Sequence, residues 1–351
     1  MRNNKFFSIV LGLVLCLSLF PFKALAAEGE EGGFNASEMI FGHIGDAYEW
    51  HLTTIGDTPI ALPLPVIVYS HERGEWFCFS SSRVTEGETY EGFYLSKEGD
   101  YSGKVVEKNA SGEEVRPLDI SLTKNAVALW INCLLLIVIV LGCARWYKDK
   151  DASSDAPKGF VGLMEMMISM VYNDIIKANI PVHVHRYAGY LLCAFFFIFF
   201  NNLIGLIPGS ANITGNIAFT FVLACCTFVM VNLFANGEYW KEIFWSDVPW
   251  WMKPVMAIVE FLGIFTKPIA LMIRLFANIM AGHAALLALI SVIFITFSIS
   301  SMLGSAMTPL TVVFCIFLDC LELLEAFIQA YVFTMLSAVF IGMSIPQHHN
   351  E

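Results

Sequence analysis

The C-terminal third of this chain is almost wholly apolar, and Arg274 is the only Lys or Arg in its last 84 residues. A guanidinium group has a pKa above about 12, so it stays charged in any protein environment. Holding it in a bilayer is costly unless it faces water or a carboxylate. Arg274 is therefore predicted to have a function in the membrane. The simpler alternative is a side chain that reaches back to the lipid headgroups.

The composition predicts a polytopic membrane protein joined to a separate acidic segment. The chain is 57% hydrophobic and 15% charged, which is typical of membrane proteins. Residues 28–120 contain 18 Asp or Glu and 6 Lys or Arg, so this segment carries −12 while the whole chain carries −11. No basic region indicates nucleic-acid binding, and no spacing of Cys and His indicates a zinc site.

The first 26 residues are predicted to be a cleaved signal peptide. Arg2 and Lys5 precede the apolar run 6–20, and Ala24-Leu-Ala26 supplies the small residues of a cleavage site. A first transmembrane helix is the alternative, but the run is short for that purpose. Export would place residues 27–120 outside the cytoplasm. Short apolar runs separated by Gly, Ser and Asn predict that this segment is a small β-rich domain.

Residues 121–351 are predicted to form an all-α membrane domain with about five spans. The spans are expected at 124–144, 187–207, 217–235, 252–297 and 309–345, with an amphipathic interfacial helix at about 159–179. Arg145, Lys148 and Lys150 follow the first span and mark its cytoplasmic side. The C-terminus is then cytoplasmic, and the N-terminal domain is extracytoplasmic.

The last two apolar segments are longer than a bilayer requires. Residues 309–345 would form a helix of roughly 54 Å at about 1.5 Å per residue, whereas the hydrocarbon core is about 30 Å thick. Residues 252–297 pose the same problem, which Pro268 relieves only in part. The simplest solution is a pair of long, steeply tilted helices packed on each other.

A stripe of polar residues follows one face of the last span. Asp319, Glu322, Glu325 and Gln329 recur at spacings of three, three and four, within a sector of about 120° on a helix. Several carboxylates on one membrane helix need water or a counter-charge. Such a row provides the titratable groups that a proton pathway requires.

The preceding segment supplies complementary groups. Glu260, Arg274 and Asn278 fall on one face of an ideal helix, and His283 lies on nearly the opposite face. Imidazole titrates near neutral pH, so His283 could pass protons to a carboxylate. Two other interpretations stay open: a buried, hydrogen-bonded His283, and a structural salt-bridge network between the two helices.

These segments resemble signatures of subunit a of the F-type ATP synthases. Arg274-Leu-Phe-Ala-Asn278-Ile-Met-Ala-Gly-His283 resembles the signature around the family's essential arginine. Glu322-Leu-Leu-Glu-Ala-Phe-Ile-Gln329-Ala-Tyr-Val-Phe is similar to its C-terminal signature, and Asn202-Leu-Ile-Gly-Leu-Ile-Pro208-Gly is similar to an earlier span end. The resemblance covers roughly residues 124–345 and leaves out the N-terminal domain.

The resemblance implies a role for each matched position. Arg274 would face the rotor and separate two aqueous half-channels. His283 and Glu322 would line the route from the outside, and Glu260 the route to the cytoplasm. Asn278 and Gln329 match polar neighbours of the arginine. The resemblance does not assign roles to Glu325 and Asp319.

The resemblance also implies the setting of the subunit. It would carry protons to and from the carboxylates of a rotating c-ring, with no catalytic chemistry of its own and no cofactor. Its partners would be the c-ring, the peripheral-stalk b subunits and the catalytic head, in the inner membrane of a bacterium. ATP chemistry is expected elsewhere in the complex, because the sequence contains no Gly-rich phosphate-binding loop.

Two other functions were weighed against this one. A secondary transporter with an Arg–Glu gate would show an internal inverted repeat and broken helices at matching places, and the sequence shows no such repeat. A purely structural assembly subunit would tolerate the replacement of Arg274 by alanine.

Overall fold

The structure is a computed structural model with two compact units. It describes residues 45–55, 58–85, 89–96, 101, 103–109, 113–148, 157–180, 184–207, 210–233, 235, 237–245 and 249–345. Of these described residues, one unit contains those up to 131 together with those in 207–211 and 286–319, and the other contains those in 132–206, in 212–285 and from 320 onward. The predicted signal peptide lies outside the described residues.

The N-terminal domain is built from short antiparallel strands. They are β1 (Glu49–Ile55), β2 (Thr58–Pro63), β3 (Pro65–Ser70), β4 (Glu75–Ser80), β5 (Phe93–Leu95), β6 (Val105–Lys108), β7 (Glu114–Val115) and β8 (Leu118–Asp119), with a one-turn helix α1 (Ser82–Thr85) after β4. In the described part of the domain, the sheets have the orders β1–β2, β4–β3–β8 and β5–β6–β7. The predicted β-rich segment is therefore confirmed.

Alternation along the strands gives this domain its core. Val66 and Val68 of β3 are fully buried and pack with Phe79 of β4 and Phe93 of β5, because alternate residues of a strand point to the same face. The Tyr48 hydroxyl donates a hydrogen bond to the Asp119 carboxylate. Burial, and secondarily this carboxylate, raise the pKa of the Tyr48 phenol well above its ordinary value.

Helices make up most of the remaining described chain. They are α2 (Lys124–Lys148), α3 (Phe160–Met170), a π-helical segment (Val171–Lys177), α4 (Val184–Gly205), α5 (Ile217–Leu233), α6 (Gly237–Phe244), α7 (Lys253–Ile299) and α8 (Ser301–Ser344). Within the described ranges, 3 helices are long and apolar enough to cross a membrane, namely α2, α4 and α7, and α5 is a shorter apolar helix. The apolar, mainly helical character is confirmed, whereas about five crossings stays a prediction.

Helix α8 begins well before the predicted span, at Ser301, and passes through Pro309 without ending. Proline removes a backbone donor, which usually breaks a helix in water. Here the Thr308 hydroxyl donates to the Gly304 carbonyl at 2.8 Å, and the Thr311 hydroxyl donates to the Met307 carbonyl at 3.1 Å. Neither carbonyl is the one that Pro309 leaves without its amide donor, which is that of Ser305. Prolines are nevertheless tolerated inside membrane helices.

The predicted interfacial helix changes its hydrogen-bonding pattern at Val171. It continues there as the π-helical segment, whose Val171, Ile175 and Ile176 are completely buried. These residues belong to an apolar core that also contains Leu191 of α4 and Leu275 of α7. The segment is thus packed into the helical unit on one side, which periodicity alone did not indicate.

A close backbone approach joins α8 to the end of this segment. A Cβ atom added at Gly342 would lie 2.2 Å from the carbonyl oxygen of Asn179, which is far inside van der Waals contact. Glycine therefore lets the helix pass the carbonyl at a distance that no other residue permits.

We expect Gly342→Ala to lower the stability of the compact unit that contains the end of α8. Overpacking costs about 1–3 kcal/mol, which outweighs a helix-propensity gain of about 1 kcal/mol. Gly142→Ala in α2 is the matched control, because a Cβ there meets nothing within 4 Å. The midpoint of thermal unfolding in lipid nanodiscs should fall for the first variant only. Equal midpoints for both variants would contradict the close approach.

Candidate functional site

Helices α7 and α8 run antiparallel, and polar contacts join them. The Asn278 side-chain amide donates to Gln329 Oε1 at 3.0 Å. His283 Nδ1 lies 3.4 Å from Glu322 Oε2. The contact residues therefore advance along α7, from Asn278 to His283, while they go backward along α8, from Gln329 to Glu322. This order shows that the two helices are antiparallel here. The structure brings together four of the residues that the sequence predicted as a site.

The contact between His283 and Glu322 is an ion pair when the imidazole is protonated. Both side chains are mostly buried, with exposed fractions of 20% and 10%. The other carboxylate oxygen, Glu322 Oε1, is buried without a hydrogen-bond partner among the described atoms. Gly282 provides space beside this oxygen, because a Cβ atom there would lie 3.1 Å from it. The carboxylate therefore keeps one free acceptor beside the imidazole.

Arg274 differs from these pairs. Its side chain is exposed on α7, one helical turn before Asn278, and no hydrogen bond or ion pair to it occurs within the described residues. The exposed residues around it on the helix surface include Ala270, Ala277 and Ala281, together with Ile273 and Asn278. A permanent cation thus stands beside three small residues, which let another helix approach closely. For Arg274, the interpretation as part of a structural salt-bridge network has no support.

A small cavity lies next to the His283–Glu322 pair. It is lined by Asn202 and Gly205 of α4, Asn212 of the loop before α5, Asn278 and His283 of α7, and Glu322 and Glu325 of α8, among others. Its volume is about 10 Å³, which is close to the least space that one water molecule needs. Six of the lining residues carry polar side chains, and the other five are Gly205, Leu206, Ile279, Gly282 and Ala326.

Three polar atoms in the cavity wall lack a hydrogen-bond partner among the described atoms. They are Asn202 Oδ1, Asn212 Nδ2 and Glu322 Oε1. Both asparagines are held in place by their other groups: the Asn212 oxygen accepts from the Gly215 amide at 2.9 Å, and the Asn202 amide donates to the Ala326 carbonyl at 3.5 Å. Buried polar atoms of this kind are usually satisfied by bound water. Sequence reasoning did not identify either asparagine as a site residue.

The other residues that the sequence predicted differ in their position relative to this cavity. Glu325 lines the cavity, and Gln329 is buried with an exposed fraction of 3%. Asp319 belongs to the other compact unit. Neither Arg274 nor Glu260 is among the described residues that line the cavity.

Glu260 lies near α6. Burial, and secondarily the charge of the Glu260 carboxylate, raise the pKa of the Tyr239 phenol above its ordinary value. Tyr239 and the adjacent Trp240 form an aromatic pair with ring centroids 5.8 Å apart. Glu260 is therefore placed beside an aromatic segment and forms a second polar position on α7, nearer its N-terminal end than Arg274.

The arrangement is suited to moving protons. A titratable imidazole contacts a carboxylate, and the residue that carries this carboxylate lines a space for water. Groups joined in this way can pass a proton through water. A cation that cannot titrate stands on the neighbouring surface of the same helix.

Comparisons with known proteins identify relatives of this chain. A family model described as ATP synthase A chain matches residues 126–342. ATP synthase subunit a of Chloroherpeton thalassium is 42% identical over 238 residues, covering 66% of this chain and 69% of that protein. The subunit a of Chlorobium phaeobacteroides is 40% identical, covering 64% and 66%, and that of Myxococcus xanthus is 39% identical, covering 67% and 76%.

The N-terminal domain matches a different family model. A domain of unknown function matches residues 39–123, and this match ends just before the other one begins at residue 126. The two matches divide the chain near the start of α2, close to the boundary that the sequence predicted at residue 120.

We expect a water molecule to occupy the cavity, hydrogen-bonded to Asn202 Oδ1, Asn212 Nδ2 and Glu322 Oε1. The reason is that three buried polar atoms would otherwise remain unsatisfied. A density map at a resolution that resolves ordered water checks this. Asn212→Leu should displace the water, because leucine fills the space without donating. A dry cavity in the unmodified chain would contradict the expectation.

Proposed function

The chain belongs to the ATP synthase A chain family and acts as the proton-channel stator of an ATP synthase, and we propose that its two half-channels are separated by Arg274. The observation that carries this proposal is the exposed, unpaired guanidinium on α7. A fixed cation repels a migrating proton, so it prevents direct leakage between two water-filled routes. It also attracts a carboxylate on a partner helix and favours the ionised form of that carboxylate.

The route from the outside passes through the cavity and the His283–Glu322 pair. The support for this step is geometric: the imidazole lies 3.4 Å from Glu322 Oε2, and Glu322 lines the same cavity as Asn202 and Asn212. Water in the cavity would hand a proton to Glu322, and the pair would pass it toward the surface of α7. Glu325 widens the polar lining on the same side.

The route to the cytoplasm passes Glu260. This carboxylate lies near Tyr239 of α6, in the aromatic segment that also contains the exposed Trp245, Trp250 and Trp251. Trp and Tyr concentrate at membrane interfaces, so this end of α7 is placed at a membrane surface. A proton released near Arg274 would leave by Glu260, toward the basic side chains of Lys241 and Lys253.

The rotor carboxylate completes the cycle. Once protonated it is neutral, so it can turn into lipid at low cost, and it returns to Arg274 after nearly a full revolution. Each proton that crosses a potential of about 100 mV carries about 2.3 kcal/mol. Several protons are therefore needed for each ATP, and a ring with many carboxylates provides them. The alanines around Arg274 allow a rotor helix to approach closely.

The topology that fits this function has about five crossings. Helices α2, α4, α5, α7 and α8 provide them, and α7 and α8 are steeply tilted because their 47 and 44 residues greatly exceed the length needed for one crossing. The N-terminal domain is extracytoplasmic and the C-terminus cytoplasmic. The partners are the c-ring, the peripheral-stalk b subunits and the catalytic head, in a bacterial inner membrane.

The transporter with an Arg–Glu gate is not favoured. Arg274 has no carboxylate partner in the described part of the chain, although such a gate requires one. Helix α7 is continuous from Lys253 to Ile299, whereas transporters of that kind bind their ions at broken helices.

We expect Arg274→Ala to reduce ATP-driven proton pumping by at least about 100-fold, because a preorganised charge at the exchange point is lost. Lys267→Ala is the matched control, because it removes another cation from the same helix. The Lys267 ammonium lies 5.5 Å from the centroid of the Phe340 ring. Fluorescence quenching of a pH-sensitive dye in inverted vesicles measures pumping, and immunoblotting confirms membrane assembly. Pumping retained by Arg274→Ala would refute the stator assignment of this residue.

We expect Glu322→Gln to slow pumping by about tenfold or more and to change its pH profile, because the relay loses a titratable group. Glu165→Gln serves as the control, since Glu165 is exposed on α3 and is outside the cavity lining. Pumping rates measured from acidic to alkaline pH test the claim. A Glu322→Gln profile parallel to that of the unmodified enzyme would remove this carboxylate from the route.

A further inference from the structure

The outward face of the β4–β3–β8 sheet is apolar and uncovered within the described residues. Trp76, Tyr69 and Leu118 form one cross-strand row, and the rings of Trp76 and Tyr69 are 5.1 Å apart. Ile67 and Ile120 follow in the next row, since the Ile120 amide donates to the Ile67 carbonyl. Trp76 is 56% exposed, Leu118 47% and Ile120 58%.

The face carries no charge although the domain is acidic. Its other outward positions in these rows hold Cys, Ser, Pro and Leu. The segment 28–120, in contrast, has 18 acidic and 6 basic residues. A charged partner would find no charged side chain to pair with in these rows, and an apolar face of this kind marks an interaction site.

The sheet is attached directly to the start of α2. The edge strand continues its ladder up to Leu122, whose amide donates to the Pro65 carbonyl at 3.2 Å, and α2 begins two residues later at Lys124. The first amides of α2 are also bound by the domain: Lys124 N donates to the Ala47 carbonyl at 2.9 Å, and Asn125 N donates to Asp46 Oδ1 at 3.2 Å. No flexible linker separates the sheet from a membrane helix.

We propose that this face, centred on Trp76, Tyr69, Leu118 and Ile120, docks on the lipid surface where α2 enters the membrane. Trp and Tyr beside aliphatic residues are the side chains that concentrate at the boundary between headgroups and acyl chains. Farther along α2, Trp130 and Ile131 are exposed apolar residues, with exposed fractions of 73% and 49%. The inference rests on α2 crossing the membrane.

The geometry constrains how the domain lies on the membrane. From Leu122 to Leu118 the strand extends about 13 Å at about 3.3 Å per residue, whereas the interfacial region of one leaflet is only about 5–8 Å thick. An upright sheet would bring Leu122 into the interface and leave Trp76 in water. All rows contact lipid only if the sheet lies along the membrane surface. Contact of Trp76 with lipid therefore distinguishes a docked sheet from an upright one, whereas contact of residues nearer α2 does not.

Photocrosslinking in the assembled ATP synthase tests the proposal. The photoreactive amino acid p-benzoylphenylalanine is introduced at position 76, in native-like vesicles of phosphatidylethanolamine and phosphatidylglycerol, and adducts are identified by mass spectrometry. The matched control is the same substitution at Tyr101, an aromatic residue that is 37% exposed outside this sheet. Phospholipid adducts at position 76 should exceed those at position 101 by at least about tenfold.

A second variant tests the cause of docking. Ile120→Glu places a charge in the face and should lower the phospholipid adduct at position 76 by about tenfold, because a carboxylate resists transfer into the interface. Tyr101→Glu should leave that adduct unchanged. Adducts at position 76 with another subunit or with residues 27–44, or a yield no higher than at position 101, would overturn the proposal. Proton pumping should be normal in every variant, so this failure is distinct from a failure of the proton route.

Discussion

An arginine that can neither lose its charge nor find a carboxylate among the described residues of its own chain constrains this protein more than any other residue. Several other polar side chains of the described membrane helices are paired: Asn278 with Gln329, His283 with Glu322, and Asn132 with Asn201. Arg274, in contrast, is exposed and has no such partner in the described part of the chain. Because an isolated cation in lipid is costly, the arrangement becomes stable when a partner supplies an anion or water. The proposed exchange with a rotor carboxylate requires such a cation.

The long antiparallel pair α7 and α8 makes this arrangement possible. One face of α7 presents Arg274 among small residues, and another face presents His283 to α8. Arg274 and His283 are therefore on one helix, about two and a half turns apart along its axis and on nearly opposite sides of it. The contact of His283 with Glu322 holds the imidazole and the carboxylate close together. The Asn278–Gln329 bond at 3.0 Å fixes the two helices between these positions.

Sequence patterns predicted the membrane helices, the acidic β-rich domain and the family, because long apolar runs, strand-like runs and paired signatures are local features. Helical periodicity also placed Glu322 and Gln329 on one face. The cavity residue Asn212 was not predicted, because its role depends on a loop that folds back between helices, which no periodicity encodes. Ser301 as the start of α8 was also missed, because Pro309 indicates a helix end in water, whereas α8 passes through this proline. The roles of the site residues stay predictions.

The central claim is that Arg274 faces an acidic residue of a rotor helix within the membrane. A density map of the assembled ATP synthase at side-chain resolution tests it most directly. The account predicts one rotor carboxylate within about 6 Å of the guanidinium, the range over which an opposite charge strongly favours ionisation. A guanidinium that instead points into lipid headgroups, distant from every rotor helix, would contradict the account.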